Sequence, residues 1–371
     1  MTNGTNRILM LVTDAYGSFG GISRFNRDFI TAVCTYSNNK ETVVFPRLIK
    51  EKIKEKIEEQ LPPGLNYIEQ GINGKIDFIK NLFNFIRKDK QFDLIICGHI
   101  NLLPIAWLAS KYLKVPLALI IHGIDAWQPT NSFLSNKLAS KVDKLICVSS
   151  LTIDRFKGWS GLPEGKEYIL PNCVDLSEFS PSEKPQYLLD RLNLQNKTIL
   201  LTLGRLDSFE RKKGFDEVLE ALPALMAENE KIHYVIVGDG PDKERLQNKA
   251  KSLHVEKHVT FAGMIPEEEK ADFYRLADAF VMPSQGEGFG IVLLEAMASG
   301  IPAMASKLDG SSEALRHGKL GLLIDPTNPI EVKEGILQTL TKPKKIPEGL
   351  DYFSKQSFNQ RVHELLAQTL S

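Results

Sequence analysis

The stretch GEGFGIVLLEAMASG, residues 286–300, carries two glutamates in different surroundings. Glu287 stands between glycines that permit close backbone approach, just before a predicted helix N-terminus whose free N–H groups attract anions. Glu295 falls inside an otherwise apolar helical run. Because an ionised carboxylate is costly to remove from water unless it is paired, we expect Glu295 to have a partner. Taken alone, the two acids are equally well explained as a solvated loop charge and a residue that favours the helix dipole.

Positive charge is concentrated in GRLDSFERKKG, residues 204–214. Arginine offers a planar fork for phosphate oxygens and lysine a point charge, so together they could hold the diphosphate of a nucleotide and stabilise it as a leaving group. No Asp-x-Asp occurs in the sequence to hold a divalent metal on a diphosphate, and we expect no metal site. Arg205, directly at a predicted strand end, is the favoured candidate. Arg211 and Lys212 are expected to be solvated.

Histidines occur at two places that invite a functional interpretation. His122 ends the apolar run LALIIHG, where a lone histidine is more often a satisfied strand-end residue than a functional one. Asp125, three residues on, could fix the tautomer of His122 or bind an acceptor. His254 and His258 are spaced like zinc ligands on a helix, but they lack a glutamate adjacent to the first histidine, so we expect a solvated turn.

Strand-like and helical patterns alternate in two series along the chain. Alternation of this kind predicts parallel sheets covered by helices on both faces, and a chain of 371 residues has material for two such α/β domains. The joint is expected near PNCVDLSEFSPSEKP, residues 171–185, where prolines punctuate a polar segment. In open parallel sheets, ligands bind beyond the carboxyl ends of the strands. If the two domains face one another, the loops that hold these charged residues would line one cleft.

Composition restricts the class of protein further. The formal net charge is zero with a pI near 7, which argues against a general nucleic-acid binder. The charge is unevenly spread: residues 1–182 carry 22 Lys and Arg against 18 Asp and Glu, so the N-terminal half is the better candidate to meet a negative surface. The four cysteines are widely spaced and predict reduced core residues of a cytoplasmic protein. No apolar run approaches the length of a membrane span.

Several motifs in fixed order resemble those of a known family. They are "HG" at 122, PNCVDLSEFSP at 171, "GRL" at 204 with "KKG" at 212, VGDGP at 237, FAGMIPEEEKADFY at 261, and the Glu-x7-Glu pair of residues 287 and 295. This set resembles the retaining, nucleotide-sugar-dependent glycosyltransferases of family GT4, which have the GT-B fold, over nearly the full chain. The resemblance implies two Rossmann-like domains, at 1–175 and 185–351, with residues 352–371 crossing back to the first.

The resemblance also implies roles for individual residues. Arg205 and Lys213 would hold the donor diphosphate, with Lys212 as a competitor for the lysine position. Glu287 would hold hydroxyls of the donor sugar and Glu295 those of the ribose. His122 would orient the transition state, and Asp125 would be an acceptor-binding or orienting residue. The remaining donor contacts would come from Gly20, Gly21, Met264, Ile265, Phe289, Gly290, Ile291 and Val292.

The implied reaction is hexosyl transfer with retention and without a metal or other cofactor, in which the leaving diphosphate helps to deprotonate the acceptor. A UDP-hexose, with UDP-glucose preferred, is the expected donor, and a glycan or lipid-linked saccharide in polysaccharide biosynthesis is the expected acceptor. Residues 74–90 are expected to form a helix on the sheet whose basic rim could also rest on anionic lipid. Two alternatives stay open: a sugar-nucleotide epimerase of GT-B fold and a non-catalytic two-domain sugar-binding protein. A dinucleotide dehydrogenase is excluded because TDAYGSFGG lacks Gly-x-Gly-x-x-Gly.

Overall fold

The first apolar run of the chain forms an interior strand of a parallel sheet, and Ile8 to Val12 in that strand are completely buried. The computed structural model describes residues 5–16, 20–48, 61–70, 74–208 and 211–370. Within these ranges the first sheet has the strand order β3-β2-β1-β4-β5-β6-β7, with every neighbouring pair parallel. The strands are β1 Asn6–Val12, β2 Asn39–Pro46, β3 Leu65–Tyr67, β4 Leu94–Cys97, β5 Leu117–Ile121, β6 Lys144–Cys147 and β7 Glu167–Ile169.

Helices follow the strands of this sheet and cover it. They are α1 Gly21–Cys34, α2 Lys75–Lys88, α3 Leu103–Leu113, α4 Phe133–Leu138 and α5 Ser150–Ser160. The α2 helix buries Phe78, Leu82 and Ile86, which recur every four residues and therefore lie on one face. They join the core that contains Leu9 and Leu11 of β1. The expectation that residues 74–90 form a helix packed on the sheet is confirmed.

A second parallel sheet has the order β10-β9-β8-β11-β12-β13. Its strands are β8 Thr198–Leu203, β9 Ile232–Val237, β10 Val259–Gly263, β11 Ala279–Met282, β12 Ala303–Ser306 and β13 Leu322–Ile324. Its helices are α6 Gln186–Leu192, α7 Phe215–Glu228, α8 Lys243–Ser252, α9 Lys270–Leu276, α10 Ile291–Ala298, α11 Ser311–Ala314 and α12 Pro329–Leu340. The strand order reverses between β8 and β11, so the loops that follow these two strands are neighbours at a topological switch point.

The last helix, α13 Lys355–Leu370, belongs with the first sheet. Phe358 of α13 packs edge-on against Phe25 of α1 with 5.8 Å between ring centroids, and the ring Nε2 of His363 lies 3.0 Å from the carbonyl oxygen of Ala32. The predicted return of the C-terminal helix to the first domain is confirmed.

Two compact units result, Met1–Cys173 with Lys355–Ser371, and Val174–Ser354. The sequence placed the first domain's end at 175, the second domain's start at 185 and the return at 352. In the structure the boundary between the units, between Cys173 and Val174, lies within the segment 171–185 expected to be the joint, and the rest of that segment belongs to the second unit. The side chain of Arg275 bonds the carbonyl and hydroxyl oxygens of Ser180 there, at 2.8 and 3.1 Å.

Candidate active site

Glu295 lies in the middle of α10 and its side chain is 0% exposed. Lys270 Nζ donates to its Oε1 at 2.9 Å, and the Tyr274 hydroxyl donates to its Oε2 at 2.7 Å. Both donors are on α9, four residues apart and therefore on one face. The expectation that a carboxylate in this apolar helix has partners is confirmed.

Lys270 and Tyr274 were not among the predicted site residues, although both lie in the motif FAGMIPEEEKADFY. These two residues of the motif hold the Glu295 carboxylate in place. Because the carboxylate is fully buried, contact with a ribose hydroxyl requires the surrounding side chains to shift. Ribose binding by Glu295 stays a prediction.

Glu287 forms an ion pair with Lys213, at 2.8 Å between Oε2 and Nζ. Two contacts join the loops that carry these residues. The amide of Gln285 donates to the Lys212 carbonyl at 2.8 Å, and Gly214, at φ +87°, lies so close to the backbone of Pro283 that a β-carbon would be 2.8 Å from it. The structure therefore brings Lys213 to Glu287.

The neighbouring basic residues behave differently. The Lys212 side chain is exposed, and only its carbonyl is used in joining the loops. The Arg211 side chain is 53% exposed and lies 3.3 Å from Asp242. Of the two lysines that compete for the predicted role, Lys213 is the one placed beside Glu287.

Asp309 holds the loop that carries Glu287 in place. Its side chain is buried and accepts hydrogen bonds from the Glu287 amide at 2.9 Å, the Ser284 hydroxyl at 2.7 Å and the Ser311 amide and hydroxyl at 3.1 and 2.5 Å. Burial raises the pKa of this carboxyl. Gly310 allows the loop after β12 to pack closely on the loop that carries Glu287, because a β-carbon at Gly310 would be 2.1 Å from the Gly288 carbonyl oxygen. Sequence reasoning missed both residues, for which the Asp-Gly pair after β12 was the available signal.

Arg205 follows β8, with its side chain exposed and without a hydrogen bond or ion pair to any residue that the structure describes. The backbone of Gly204 and Leu206, on either side of Arg205, is in contrast held by close contacts. The amide of Leu206 donates to the Asp239 carbonyl at 3.1 Å, and β-carbons at Gly238 and Gly240 would lie 1.9 and 2.2 Å from the carbonyl oxygens of Gly204 and Leu206. Gly238 and Gly240 of VGDGP therefore permit the close contacts that hold the backbone on both sides of Arg205. The exposed guanidinium extends from this fixed backbone.

Backbone N–H groups are available where α10 begins. Gly290, at φ +91°, precedes the helix and forms no side-chain cap, so the first-turn amides of Ile291 and Val292 have no partner within the helix. Phe289 is buried beside Phe353, with 5.6 Å between ring centroids. This geometry suits the predicted anion site.

Met264 and Ile265 follow β10 after Gly263, which has a φ of +74°. The Met264 side chain is 72% exposed, which is unusual for a large apolar residue at the carboxyl edge of a sheet, whereas Ile265 is half-buried. Their predicted contact with the nucleotide base stays a prediction.

His122 lies at the carboxyl edge of the first sheet, after β5. Its ring Nε2 is 3.1 Å from the carbonyl oxygen of Gly98, and the ring packs edge-on against Phe25 at 5.1 Å. Burial lowers the pKa of His122 to about 4, so the ring is neutral, donates from Nε2 to Gly98 and leaves Nδ1 as an acceptor. The expectation that Asp125 fixes this tautomer is wrong, because Gly98 does so and Asp125 accepts the His122 backbone amide at 3.1 Å.

Asp125 holds the turn after β5 through one oxygen only. Its Oδ2 is buried and has no hydrogen-bond partner among the described residues, and burial raises the pKa of this carboxyl to about 7. The Nε2 of His99 lies 3.9 Å from this oxygen, and its Nδ1 accepts the Asn101 amide at 3.1 Å, while burial lowers the pKa of His99 and favours the neutral ring. His99, which follows β4 in CGHINLLP, was not predicted to be a site residue.

Gly20 and Gly21 open α1 at the carboxyl end of β1. Gly20 has a φ of +121°, which favours glycine, whereas Gly21 has no such constraint. A β-carbon on either residue would meet no atom of the described residues within 4 Å. Residues 17–19, immediately before them, lie outside the described ranges. Packing against the described residues therefore does not explain Gly21.

The remaining predicted features concern the histidine pair, the cysteines and membrane-spanning helices. His258 bonds the Ile232 carbonyl through Nδ1 at 3.0 Å, and over the described ranges no three His, Cys, Asp or Glu side chains are placed to hold a metal ion. All four cysteines are free, and three of them are buried. A search of the described residues for a helix long and apolar enough to cross a membrane found none.

Comparison with known proteins places the chain in a family. Residues 189–357 match the model of Glycosyl transferases group 1, and residues 19–178 match that of Glycosyltransferase Family 4. A GDP-mannose-dependent alpha-(1-6)-phosphatidylinositol monomannoside mannosyltransferase of Mycolicibacterium smegmatis is 32% identical over 265 residues, which cover 66% of this chain and 68% of that protein. Its namesake from Mycobacterium tuberculosis H37Rv is 32% identical over 251 residues, 64% of each chain, so the match spans slightly less than two thirds of that relative.

Solved structures support the same assignment at the level of the fold. Anabaena Alr3699/HepE in complex with UDP-glucose superposes with a TM-score of 0.77 at 21% identity, covering 98% of this chain and 99% of that chain. Two parallel sheets with flanking helices and a returning C-terminal helix are the architecture of the GT-B fold. The chain therefore belongs to the family of group 1, family 4 glycosyltransferases, with the GT-B fold.

Proposed function

We propose that the protein is a retaining, metal-independent hexosyltransferase that moves a hexose from a nucleotide diphosphate sugar to a glycan or lipid-linked acceptor. The observation that carries the proposal is the Lys213–Glu287 contact at the switch point of the second sheet, in the loops beside that of Arg205. A cation next to a carboxylate suits a ligand that has a diphosphate at one end and sugar hydroxyls at the other.

The donor we propose first is GDP-mannose. Relatives 32% identical to this chain carry that nucleotide sugar in their names. This changes the order of the candidates, since the sequence motifs led us to expect UDP-glucose. A UDP-hexose is the second candidate, and the family membership is common to both.

In this proposal Arg205 and Lys213 neutralise the diphosphate, together with the backbone amides of Phe289 to Val292 at the start of α10. Cations and amides fixed before the reaction stabilise charge that develops on a leaving group without having to reorganise. Glu287 accepts bonds from sugar hydroxyls and Glu295 from the ribose, while Met264 and Ile265 contact the base. Gly20 and Gly21 allow the phosphates to approach the start of α1.

The first unit supplies the polar groups around the sugar and the acceptor. His122 is neutral and has Nδ1 as an acceptor, so it suits a hexose hydroxyl better than a phosphate. Asp125 orients the turn that carries His122 and is the candidate for acceptor binding. The acceptor hydroxyl attacks the anomeric carbon from the face that the diphosphate leaves, and its proton passes to a diphosphate oxygen.

The proposal places the enzyme in the biosynthesis of polysaccharides or glycolipids, at the cytoplasmic face of a membrane and in peripheral contact with it through the first unit. The names of the mannosyltransferase relatives include phosphatidylinositol acceptors, which favours a lipid-linked acceptor here. The positive N-terminal half of the sequence agrees with this placement.

The test uses two adjacent lysines as a matched pair. Purified protein is incubated with GDP-mannose or UDP-glucose and a panel of glycolipid acceptors, and products are identified by NMR, including their anomeric configuration. We expect an α-linked product, loss of turnover in Lys213→Ala, and retention of turnover in Lys212→Ala. A free epimerised sugar would indicate the epimerase, whereas nucleotide-sugar binding without any product would indicate a binding protein.

A further inference from the structure

The first sheet has a topological switch point of its own, between β1 and β4. The strand order runs β3-β2-β1 on one side of this point and β4-β5-β6-β7 on the other. In open parallel sheets, ligands bind outside the carboxyl ends of the strands at such a point. Asp14 follows β1, His99 follows β4 and Asp125 follows β5, so three adjacent strands each bring an acid or a histidine to this edge.

One ring nitrogen of His99 caps a short helical turn. Its Nδ1 accepts the backbone amide of Asn101 at 3.1 Å, where the turn Ile100–Leu102 begins. An accepting Nδ1 carries no proton, so the proton of the neutral ring is on Nε2, which is then a donor. Burial lowers the pKa of His99, and the charge of Asp14 opposes this shift only in part. The cap therefore leaves a neutral ring whose Nε2–H the turn does not use.

Asp125 is arranged in the complementary way. Its Oδ1 accepts the His122 amide at 3.1 Å, which holds the carboxylate in place. Its Oδ2 is buried and has no hydrogen-bond partner among the described residues, and the side chain as a whole is 12% exposed. Buried polar atoms in folded proteins nearly always have a partner, because leaving them without one is costly. Asp125 therefore offers an acceptor that the turn after β5 does not use.

The two unused atoms face each other at a distance that has a chemical meaning. His99 Nε2 and Asp125 Oδ2 are 3.9 Å apart. This separation is too long for a direct hydrogen bond, but one oxygen atom can bridge it with two hydrogen bonds of about 2.8 Å. The bridging atom has to accept from Nε2–H and donate to Oδ2.

Few chemical groups meet both requirements with one atom. A hydroxyl both accepts and donates through its single oxygen. A phosphate or carboxylate oxygen only accepts and would meet the negative charge of Asp125, whereas an ammonium only donates and cannot accept from His99. The distance and the two atom types together therefore select a neutral hydroxyl.

We infer that His99 and Asp125 form a subsite for one hydroxyl of a neutral sugar or polyol, in which His99 donates to the hydroxyl oxygen and the hydroxyl donates to Asp125. The inference rests on the proposed function, which brings such hydroxyls to the first unit on the acceptor or on the hexose of the donor. His99 is then a specificity-determining residue. A substrate without this hydroxyl is bound poorly, because it leaves both buried groups unpaired.

Histidine NMR tests the inference on the full chain and needs no turnover. The chain has seven histidines, so the ring signals of histidine-labelled protein can be assigned by substitution, with His99→Gln identifying those of His99. The probes are methyl α-D-mannopyranoside, myo-inositol, GDP-mannose, GDP and inorganic phosphate. The pH is kept above the raised pKa of Asp125, about 7, so that its carboxyl can accept.

We expect a saturable shift of the His99 ring signals with a hydroxyl-bearing probe and none with phosphate. A shift that GDP-mannose causes and GDP does not would assign the hydroxyl to the donor hexose. A shift that a free polyol causes while GDP is bound would assign it to the acceptor. Absence of a shift with GDP-mannose and with both polyols would overturn the inference, and so would an equal shift with phosphate.

Substitutions separate the two hydrogen bonds. Asp125→Asn keeps an oxygen for the His122 amide but puts an amide donor in the place of Oδ2, and His99→Leu removes the Nε2–H. Each is expected to weaken binding of the responding probe by about tenfold or more, as measured by saturation-transfer NMR. His99→Gln keeps an N–H near the Nε2 position and is expected to stay within about threefold of the wild type. The control is His258→Gln, since His258 bonds the Ile232 carbonyl before β10, and it is expected to bind like the wild type.

A purely structural role for this pair predicts a different result. Denaturant titration would then show lower stability in Asp125→Asn and His99→Leu, with probe affinity equal to that of the wild type, and this outcome would overturn the inference. If His99→Leu does not fold, Asp125→Asn decides the comparison alone.

The tests of this subsite and of the proposed function can fail separately. Loss of nucleotide binding with a retained shift of His99 on a free polyol would contradict only the donor site. Turnover by the wild type without any shift of the His99 signals would contradict only the subsite.

Discussion

The carboxyl edges of the two sheets differ in how their charged groups are satisfied. In the second unit, Lys213 pairs with Glu287, Lys270 with Glu295, and Asp309 accepts bonds through both oxygens. In the first unit, the buried Oδ2 of Asp125 has no partner among the described residues. The carboxyl edge of the second sheet therefore carries paired charges. At the carboxyl edge of the first sheet, burial shifts the pKa values of His122 and Asp125 toward their neutral forms.

This difference corresponds to two kinds of ligand. A diphosphate carries charge throughout the reaction, so cations fixed in place before it binds are favourable. Sugar and acceptor hydroxyls are neutral, and they are better met by neutral hydrogen-bonding groups. With its pKa lowered to about 4, His122 is such a group near neutral pH, and Asp125, with its pKa raised to about 7, is partly protonated there. The comparison supports the proposal in which the second unit holds the donor diphosphate and the first unit meets hydroxyls around the acceptor.

The largest effect is expected from Glu295→Ala in the paired edge. It leaves the Lys270 ammonium and the Tyr274 hydroxyl without their buried acceptor, which we expect to cost about 3 to 5 kcal/mol of the free energy of unfolding. Nucleotide affinity should fall as well. Denaturant titration and calorimetry measure the two effects.

Glu267→Ala is the matched control, because Glu267 is 42% exposed and lies 3.5 Å from the same Lys270 ammonium. We expect it to change stability by no more than about 0.5 kcal/mol. If Glu295→Ala and Glu267→Ala cost the same, or if nucleotide affinity is equal in Glu295→Ala and the wild type, the paired edge has no special role.

Arg205→Ala separates function from stability in the same edge. Arg205 is exposed and has no described partner, so we expect stability to stay within about 0.5 kcal/mol of the wild type. Loss of a preorganised cation at the leaving group should lower turnover by about 10²- to 10³-fold. Steady-state kinetics with saturating donor tests this, with Arg211→Ala as the control. Equal turnover in the two variants would remove Arg205 from the site.

The pH dependence of stability tests the first unit. Burial lowers the pKa of His122 from 6.5 to about 4, so between these values the unfolded chain binds the extra proton and stability falls as the pH falls. Burial raises the pKa of Asp125 from 3.8 to about 7, so the folded chain binds the extra proton and stability rises as the pH falls. The two effects oppose each other over most of this window.

Single substitutions should expose each effect. Relative to the wild type, Asp125→Asn is expected to lose stability progressively as the pH falls from about 7 to about 4, and His122→Asn to gain it below about 6.5. Denaturant titrations at several pH values give the slopes. Parallel curves for the three proteins would show that neither group is shifted as its burial implies.

The smallest effect on stability is expected at Gly21. A β-carbon there meets no described atom within 4 Å, so Gly21→Ala should leave the free energy of unfolding nearly unchanged, whereas Gly20→Ala should cost about 1 kcal/mol because of its φ of +121°. If donor phosphate approaches Gly21, the variant should nevertheless weaken donor binding. Unchanged affinity for the nucleotide sugar in Gly21→Ala would exclude that approach.

Much of the fold and part of the site follow from the sequence. Alternating strand and helix patterns predict both parallel sheets, and the apolar setting of Glu295 predicts that it is paired. The identity of the partners does not follow, because Lys270 and Tyr274 are 25 and 21 residues away and only the packing of α9 on α10 brings them close. Asp309 was missed for a similar reason, since a short polar loop does not indicate which backbone it supports.

The helices of the first unit illustrate the same limit. The basic residues of α2 can be read from the sequence, whereas the exposure of each apolar residue depends on the packing of its helix. The sequence cannot distinguish Leu82, which is buried, from Leu108, which is 51% exposed. That distinction depends on how each helix is rotated against the sheet.

The most direct test of the central claim, that the second unit is a preformed site for a nucleotide diphosphate, is calorimetric titration of the protein with GDP, UDP and ADP in the presence of a chelator and then with magnesium. The account predicts that one nucleotide, GDP first, binds without metal and that Arg205→Ala weakens this binding. Binding of none of the three, or binding only after magnesium is added, would contradict it.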